Sequence, residues 1–406
     1  MTTKPRRGPL AGLRVLDIAA FLAAPFSASI LADFGADVIK VELPGMGDGL
    51  RKFPPFKNST SLHFNVMARN KRSLTLDLRD PVGKELFLRL VEKADLVTEN
   101  FLPGTLEKWG LGYDVMKARN PRIVVIRVSG YGQTGPNSKL YGFGTSSQAF
   151  SGLTYLSGYP DRPPVTSPIS LADYIAGLFA VIGALTAVYE RDVAKSDLGQ
   201  EVDVSLYEGL FRLMDFHPAE YQQLGIVRER TPVPRSSAPL GMFAAKDGHW
   251  LVLSVSSDSV FDRLAEALGR AELAKDPRFY TNQVRVENRE AIEAIVVEWF
   301  GQRTRDEILE ELNRAGVPVS PVYNIADIME DEHYQARENV VVVEDPVLGP
   351  VAMPNAVPRL SRTPGEVRTT APLLGQHSAE VLSEWLGLSQ AQIDEIQAIL
   401  GGKRSE

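Results

Sequence analysis

The carboxylate of Asp173 is the side chain in this sequence whose position most clearly allows chemistry. It stands near the head of the stretch from Ser167 to Glu190, where alanine and glycine recur among large apolar residues. This pattern predicts a helix that is apolar nearly all round and buried inside a large protein, and Pro168 opposes its extension towards the N-terminus. Asp173 would then lie in the first turn, where the helix dipole favours negative charge and keeps the carboxyl pKa low. The residue is therefore either a charge that stabilises the helix or a nucleophile held beside a bound acyl group.

The composition excludes several other kinds of chemistry. The 406 residues are enough for two or more domains, and 44% hydrophobic with 23% charged residues is typical of a soluble globular protein. There is no cysteine, which excludes thiol catalysis, and the five histidines have no metal-ligand spacing, so no metal is expected. A net charge of -7 gives no indication of a nucleic-acid partner. Arg14 and Asp17 interrupt the apolar stretch behind the basic N-terminus, so we expect no signal peptide, no membrane partner and a cytoplasmic location.

The start of the chain predicts a βαβ unit. Leu13 to Ile18 and Asp37 to Glu42 have the apolar runs of buried strands, and Ala24 to Phe34 between them predicts a helix. A dinucleotide-binding domain is the alternative, with Glu42 in the place of the ribose-binding acid. The turn after the first strand is AAFLAAP, however, and lacks the glycines that let a pyrophosphate approach the backbone. We therefore do not expect NAD.

Strands and helices continue to alternate along the chain, which predicts a mostly parallel sheet with helices on both faces and a ligand near the C-terminal strand ends. Asp247-Gly248 predicts a hairpin between Met242 and Ser254, within a small α+β domain. The further predicted strands are Ser73 to Leu78, Asp95 to Thr98, Ile123 to Val128, Gln200 to Val204 and Asn339 to Glu344. The further predicted helices are Pro81 to Lys93, Gly104 to Trp109, Ser205 to Gln223, Ser257 to Leu268, Arg289 to Phe300, Thr304 to Ala315, Ser378 to Leu386 and Ala391 to Leu400.

Seven stretches, taken in order, resemble the class III CoA-transferases, the group that includes the carnitine and formyl–oxalate CoA-transferases. The stretches are PLAGLRVLDIAAFLAAPFSASILADFGADVIKVE, NKRSLTLDL, ADLVTENFLPGTLEKWGL, NPRIVVIRVSGYGQTGP, ADYIAGLFAVIGAL, GQEVDVSLYEGL and GQHSAEVLSEWLGLS. The resemblance implies a large doubly wound α/β domain built from both chain ends, in residues 1–224 and 331–406, with a small α+β domain and its linkers inserted at 225–330. It also implies that two chains interlock as a dimer of identical or paralogous subunits.

The resemblance implies a chemical role for Asp173. In this family the aspartate at the head of the glycine- and alanine-rich helix attacks an acyl-CoA to give a mixed anhydride, and the CoA thiolate then forms an aspartyl-CoA thioester. A small carboxylic acid finally takes the CoA. Coenzyme A and acyl-CoA are substrates in this scheme, and no permanently bound cofactor is expected.

The same matching implies a CoA site over the strand ends of the first domain. Its positions are Leu22, Ala23, Lys71, Arg72, Leu76, Asp77, Leu78, Arg79, Asn100, Phe101, Lys108 and Phe143. Arg79 and Lys108 would meet phosphate charge, and Phe101 offers an apolar face to adenine. Each basic residue could equally be an ordinary solvated side chain. Leu43 stands where some members carry an arginine after the second strand, so one phosphate contact is absent or supplied elsewhere.

Two other functions stay open on the same scaffold. The α-methylacyl-CoA racemases share the resemblance but carry a GHD segment where this chain has Gly142-Phe143-Gly144, which offers no base for the α-proton. Transfer is therefore favoured over racemisation. The other alternative is a CoA-binding subunit of a heteromeric transferase.

The acceptor is left open by the sequence. Arg228, Arg230 and Arg235 could recognise a second carboxylate, which would suit succinyl-CoA or another dicarboxylate, or they could form a solvated basic loop. The small domain has no Gly-Gly-Gly run of the kind found in the formyl–oxalate enzymes, so oxalate is not the expected acceptor.

Overall fold

The computed structural model describes residues 8–233 and 236–402 and divides into two compact units. The larger unit takes its described residues from the ranges 1–155, 165–227 and 338–406. The smaller unit takes its residues from 156–164 and 228–337, so it starts later and ends later than the predicted 225–330 and includes a short earlier piece. Both ends of the chain contribute to the larger unit, as the resemblance implied.

Strands and helices alternate through the first two hundred or so residues, and a block of mainly helices follows. The strands are β1 (Arg14–Asp17), β2 (Asp37–Glu42), β3 (Phe56–Lys57), β4 (Thr60–Ser61), β5 (Arg72–Thr75), β6 (Leu96–Glu99), β7 (Val124–Ser129), β8 (Glu201–Ser205), β9 (Leu240–Ala244), β10 (Trp250–Ser254), β11 (Val319–Pro321), β12 (Val340–Asp345) and β13 (Gly349–Pro354). The helices are α1 (Ala23–Asp33), α2 (Leu62–Met67), α3 (Pro81–Val91), α4 (Thr105–Lys108), α5 (Tyr113–Arg119), α6 (Gly144–Phe150), α7 (Leu153–Leu156), α8 (Leu171–Asp192), α9 (Glu208–Arg212), α10 (His217–Leu224), α11 (Asp258–Ala267), α12 (Asn282–Glu287), α13 (Arg289–Phe300), α14 (Arg305–Arg314), α15 (Ile325–Glu330), α16 (Glu332–Ala336), α17 (Ser378–Leu386) and α18 (Gln390–Gly402).

The larger unit is built on a six-stranded sheet in the order β5-β2-β1-β6-β7-β8, with every neighbouring pair parallel. Successive side chains point to opposite faces, so Val15 and Val38 join a core with α1 and α8. Leu16 and Ile39 join a second core with α3 and α17 on the other face. Burial on both faces explains why these strands are apolar without alternation, and the predicted doubly wound parallel sheet is confirmed.

The C-terminal return is fastened to the first strands by charge as well as by apolar packing. Arg72 of β5 pairs with Asp37 at 2.6 Å and with Glu380 and Glu384 of α17, each at 2.7 Å. The indole of Trp385 donates to the same Asp37 carboxylate at 3.1 Å. These contacts hold α17 against the edge of the sheet.

Helix α8 is buried on one side only, which corrects the expectation of burial nearly all round. Its small residues face α1 and the strands β7 and β8: Ala172, Ala176, Gly177, Ala180, Ala184 and Ala187. Its large residues Leu178, Ile182, Leu185 and Tyr189 are exposed, and Ile182 shows 59% of its surface. The small residues let the backbones of α1 and α8 approach closely, so the bulky apolar residues occupy the opposite side. By length and composition alone α8 would also suffice to cross a membrane, a test that core helices of soluble proteins pass too.

The smaller unit has an antiparallel sheet in the order β11-β10-β9. The hairpin predicted around Asp247-Gly248 is present, with Ala244 opposite Trp250 and Gly248 at a φ of 82°. Helices α11, α13 and α14 cover this sheet and contribute Phe261, Val296 and Leu312 to one apolar core, among other residues.

Candidate active site

Asp173 occupies the third position of α8, as the sequence predicted, but its pKa moves in the opposite direction from the expected one. Burial raises the pKa of the carboxyl group from its ordinary 3.8 to about 6, against the opposing effect of its own backbone N–H. Within the described ranges no side chain donates a hydrogen bond to this carboxylate or pairs with it. The expectation of a low pKa was wrong because loss of water around the carboxylate outweighs the helix dipole.

Two other helices meet the head of α8. Gly177 lies so close to the start of α1 that a Cβ on it would stand 2.8 Å from the carbonyl oxygen of Ala23. The rings of Tyr174 and Phe26 pack edge to face with 4.9 Å between their centroids. On another side Gly144, the first residue of α6, contacts the Asp173 carboxylate. The nucleophile candidate thus stands where three helix starts converge.

A cavity of about 220 Å³ opens at the C-terminal ends of β1, β2, β5 and β6, the edge at which a parallel sheet was expected to bind its ligand. Its wall carries apolar side chains and charged ones together, and the rings of Phe101 and Trp109 meet edge to face at 5.0 Å. The lining residues are Ile18, Ala19, Ala20, Lys40, Val41, Glu42, Leu43, Gly47, Asp48, Leu76, Asp77, Leu78, Arg79, Phe101 and Trp109. Such a mixture suits a ligand with an aromatic base and charged groups.

Of the residues that the resemblance assigned to CoA, five line this cavity: Leu76, Asp77, Leu78, Arg79 and Phe101. Arg79 is exposed and pairs with Asp77 through two bonds, of 2.9 Å and 2.8 Å. The pair is at the surface, where a ligand phosphate could compete for the guanidinium.

The other assigned residues lie near the cavity or elsewhere. Leu22 and Ala23 form the head of α1, and Asn100 exchanges two hydrogen bonds with the backbone of Ala20, at 2.9 Å and 2.6 Å. Lys108 is exposed on α4. Phe143 is 73% exposed and immediately precedes Gly144, so it lies near Asp173 and does not line the cavity.

Lys71 and Arg72 are occupied by protein carboxylates. The Lys71 ammonium is fully buried and bonds Asp17 at 2.8 Å and the carbonyl of Pro25 at 2.7 Å. Arg72 holds the three carboxylates of Asp37 and α17 described above. Neither side chain lines the cavity. Each cation instead balances buried or partly buried negative charge that would otherwise be unpaired.

Lys40 and Asp48 are cavity residues that the sequence reasoning missed. The Lys40 ammonium pairs with Asp48 at 2.8 Å and with Asp17 at 3.6 Å, and it donates to the carbonyl of Ala19 at 2.6 Å. Burial works to lower the pKa of Lys40, but the carboxylates of Asp17 and Asp48 outweigh it and raise that pKa. The available signal was a lysine in the middle of the apolar strand DVIKVE, since a charge there must find a buried partner.

Lys40, Asp48 and Asn100 hold the turn from Ala19 to Phe21 in place. Besides the contacts to Ala19 and Ala20, the Asp48 carboxylate accepts a hydrogen bond from the backbone N–H of Phe21 at 3.0 Å. Phe21 has a φ of 63°, a conformation that bulky residues rarely adopt. Its ring lies over Gly49, where a Cβ would stand 2.5 Å from the ring. The turn is therefore strained and fastened at each residue, and it connects the cavity wall to the head of α1.

Two further sequence expectations concern the racemase-like segment and the linker arginines. Phe143 and Gly144, where the resemblance placed the acid–base pair of racemases, do lie at Asp173 and bring neither an imidazole nor a carboxylate. Of the linker arginines, Arg235 lies outside the described residues, and Arg228 and Arg230 belong to the smaller unit. Across residues 8–233 and 236–402 no cluster of three or more histidine or acidic side chains could hold a metal ion.

Comparison with known proteins gives a consistent result over most of the chain. The family model of CoA-transferase family III matches residues 10–378. A succinyl-CoA–D-citramalate CoA-transferase of Chloroflexus aurantiacus is 44% identical over 392 residues, which are 96% of this chain and 97% of that protein. The alpha subunit of a succinyl-CoA–L-malate CoA-transferase of Chloroflexus aurantiacus is 43% identical over 396 residues, 96% of this chain and 92% of that one. Among solved structures, a CAIB/BAIF family protein from Brucella suis superimposes with a TM-score of 0.83 at 34% identity, covering 94% of this chain and 100% of that chain.

Proposed function

This chain belongs to CoA-transferase family III and is a CoA-transferase, and on that premise we propose that it moves CoA from an acyl-CoA to a small carboxylic acid through covalent intermediates on Asp173. The observation that carries the proposal is the carboxylate at the head of α8, which has no cationic partner among the described side chains and whose pKa burial raises to about 6. At neutral pH about nine tenths of such a group is ionised. A carboxylate that is poorly hydrated and unpaired is also more basic and more nucleophilic than an ordinary one.

The proposed reaction needs no reactant other than the acyl-CoA, the acceptor acid and the Asp173 carboxylate. The Asp173 carboxylate attacks the thioester carbonyl, the C–S bond breaks, and a mixed anhydride and CoA thiolate form. The thiolate attacks the aspartyl carbonyl and releases the donor's carboxylate, which leaves CoA as a thioester on Asp173. The acceptor carboxylate then attacks the aspartyl carbonyl of this thioester, which releases CoA thiolate and forms a second mixed anhydride. The thiolate attacks the acceptor's carbonyl carbon in this anhydride, so the acceptor leaves as its CoA thioester and the Asp173 carboxylate is restored. Holding each partner at attack distance can contribute roughly 7–11 kcal/mol to such steps.

The cavity at the strand ends is the proposed place of the CoA nucleotide. The adjoining rings of Phe101 and Trp109 would offer one apolar wall to the adenine, and the exposed cations Arg79 and Lys108 would meet the phosphates. Lys71 and Arg72 are not part of this proposal, because their charges are balanced within the protein. The pantetheine arm would follow the turn from Ala19 to Phe21 and reach the α1 head, Leu22 and Ala23, beside α8.

We propose succinyl-CoA as the donor and a small dicarboxylic acid as the acceptor. The Chloroflexus relatives carry names that pair succinyl-CoA with citramalate and with malate, and a mouse relative is a succinyl-CoA:glutarate CoA-transferase. We further propose the cytoplasm as its location.

We also propose that the active form is a dimer of interlocked chains. The exposed apolar stripe of α8, formed by Leu178, Ile182, Leu185 and Tyr189, supports burial against a second copy, because a stripe of this kind is unfavourable in water. Relatives named as alpha and beta subunits favour a mixed dimer as the other outcome. Transferase activity of this chain purified without a paralogous partner would exclude both the mixed dimer and a purely CoA-binding role.

The test is exchange of CoA between succinyl-CoA and a panel of small dicarboxylic acids. Replacing Asp173 by Ala should abolish exchange and leave CoA binding intact, and mass spectrometry of the wild type with succinyl-CoA should find CoA attached to that residue. Glu190→Gln is the matched control, since it changes a carboxylate on the same helix about 25 Å along its axis. Undiminished exchange in Asp173→Ala would refute the mechanism.

A further inference from the structure

The first residue of α6 lies directly against the proposed nucleophile. A Cβ built on Gly144 would stand 2.0 Å from Oδ2 of Asp173 and 3.2 Å from its Cγ, and real Cβ atoms essentially never come within 3.0 Å of a heavy atom in a residue that is not their neighbour in the chain. The carboxylate therefore occupies the space in which a side chain at position 144 would begin.

The backbone at Gly144 does not itself require glycine. Its φ lies outside the left-handed range, and it is the first residue of a helix, where any L-residue could adopt the same conformation. The absence of a side chain at this position is explained by the neighbouring carboxylate alone.

The segment that leads into α6 is packed closely on the residue after β7, which restricts its movement. Gly142 packs backbone to backbone on Gly130 after β7, with a Cβ on Gly142 only 2.8 Å from the Cα of Gly130. The Ser146 hydroxyl and the backbone of Phe143 exchange hydrogen bonds of 3.1 Å and 2.8 Å, which fix the first turn. If a Cβ is introduced at position 144, we expect the flexible Asp173 side chain to move, because the backbone around Gly144 is held more firmly. A methyl group at position 144 would thus displace the carboxylate and leave the fold in place.

We propose that Gly144 is a positioning residue of the transferase: the missing side chain at its Cα sets the place and the orientation of the Asp173 carboxylate. This role rests on the proposed function of Asp173 as the nucleophile. To move from 2.0 Å to beyond 3.0 Å, the carboxylate must shift by about 1 Å. A misplacement of that size costs an enzyme on the order of a hundredfold in rate.

The test is Gly144→Ala, with Thr145→Ala as the control because Thr145 is the exposed next residue of the same turn. We expect kcat of Gly144→Ala to fall on the order of a hundredfold, and KM for acyl-CoA and CoA binding to stay within about threefold of the wild type. Its melting temperature should not fall, since alanine is the better helix former. The acid limb of its pH–rate profile should also move below that of the wild type, as the displaced carboxylate regains water.

Three results would overturn the proposal: a wild-type kcat in Gly144→Ala, a loss confined to KM, or a lowered melting temperature with an equal loss of CoA binding. The last result would show a general packing role. If Asp173 is not the nucleophile, CoA exchange would survive in Asp173→Ala, whatever the activity of Gly144→Ala. That result would refute the proposed function and can be told apart from the three results above. An inactive Asp173→Ala beside a fully active Gly144→Ala would refute only the role of Gly144.

Discussion

Replacing the Asp173 carboxylate by an amide should stabilise the fold at neutral pH while it removes the activity. The folded protein raises the pKa of this group from 3.8 to about 6, so the ionised form is the one that the fold disfavours. A difference of roughly two pKa units corresponds to about 3 kcal/mol at pH values above both pKa values. The side chain keeps some contact with water and an amide has its own cost of burial, so we expect a net gain of about 1–2 kcal/mol for Asp173→Asn.

The pH dependence of this gain has a definite sign. Burial of the ionised Asp173 carboxylate lowers the free energy of unfolding of the wild type. This destabilisation is absent below pH 3.8, grows between pH 3.8 and 6, and is complete above pH 6. At pH 4.5 it should have fallen to about one third of its full value. Urea unfolding of wild type, Asp173→Asn and the control Glu190→Gln at pH 7.5 and 4.5 measures both effects. Equal stability of wild type and Asp173→Asn at pH 7.5, or the same gain at both pH values, would refute the reasoning that burial raises this pKa.

Three further predictions concern the rate, the turn and the assembly. The kcat/KM of the wild type should fall with a single proton uptake around pH 6, measured by initial rates, because protonation removes the proposed nucleophile, the Asp173 carboxylate; a flat profile down to pH 5 would contradict this. Asp48→Asn should raise KM for acyl-CoA about tenfold and lower the melting temperature, since the charged partner of Lys40 is lost and the hydrogen bond from the Phe21 N–H then goes to a neutral amide oxygen, which is a weaker acceptor; an unchanged KM would separate the turn from CoA binding. Ile182→Glu should convert the proposed dimer into monomers in light scattering, because a charge in the exposed α8 stripe cannot be buried; a dimer of unchanged affinity would place the interface elsewhere.

The sheet and the nucleophile candidate could be predicted because their signals are local. Apolar runs such as IVVIRV indicate strands buried on both faces, and the position of Asp173 follows from where the α8 pattern begins. The direction of its pKa shift could not be predicted, since the carboxylate is contacted by Gly144 of another helix and its burial depends on the tertiary fold. The ion pairs of Arg72 could not be predicted either, because Glu380 and Glu384 are some three hundred residues away along the chain.

The contact between the heads of α1 and α8 shows how the cavity and the Asp173 carboxylate, which come from distant parts of the chain, are held at a fixed separation. Ala23 follows the strained turn that forms the cavity wall, and its carbonyl oxygen would be only 2.8 Å from a Cβ on Gly177, one helical turn beyond Asp173. Close packing of two backbones leaves little freedom, whereas long side chains at the same contact could change rotamer. The small residues of α8 therefore set geometry as well as fill the core. The exposure of its large residues follows from this, since a helix that presents its small side to α1 must present its bulky side elsewhere.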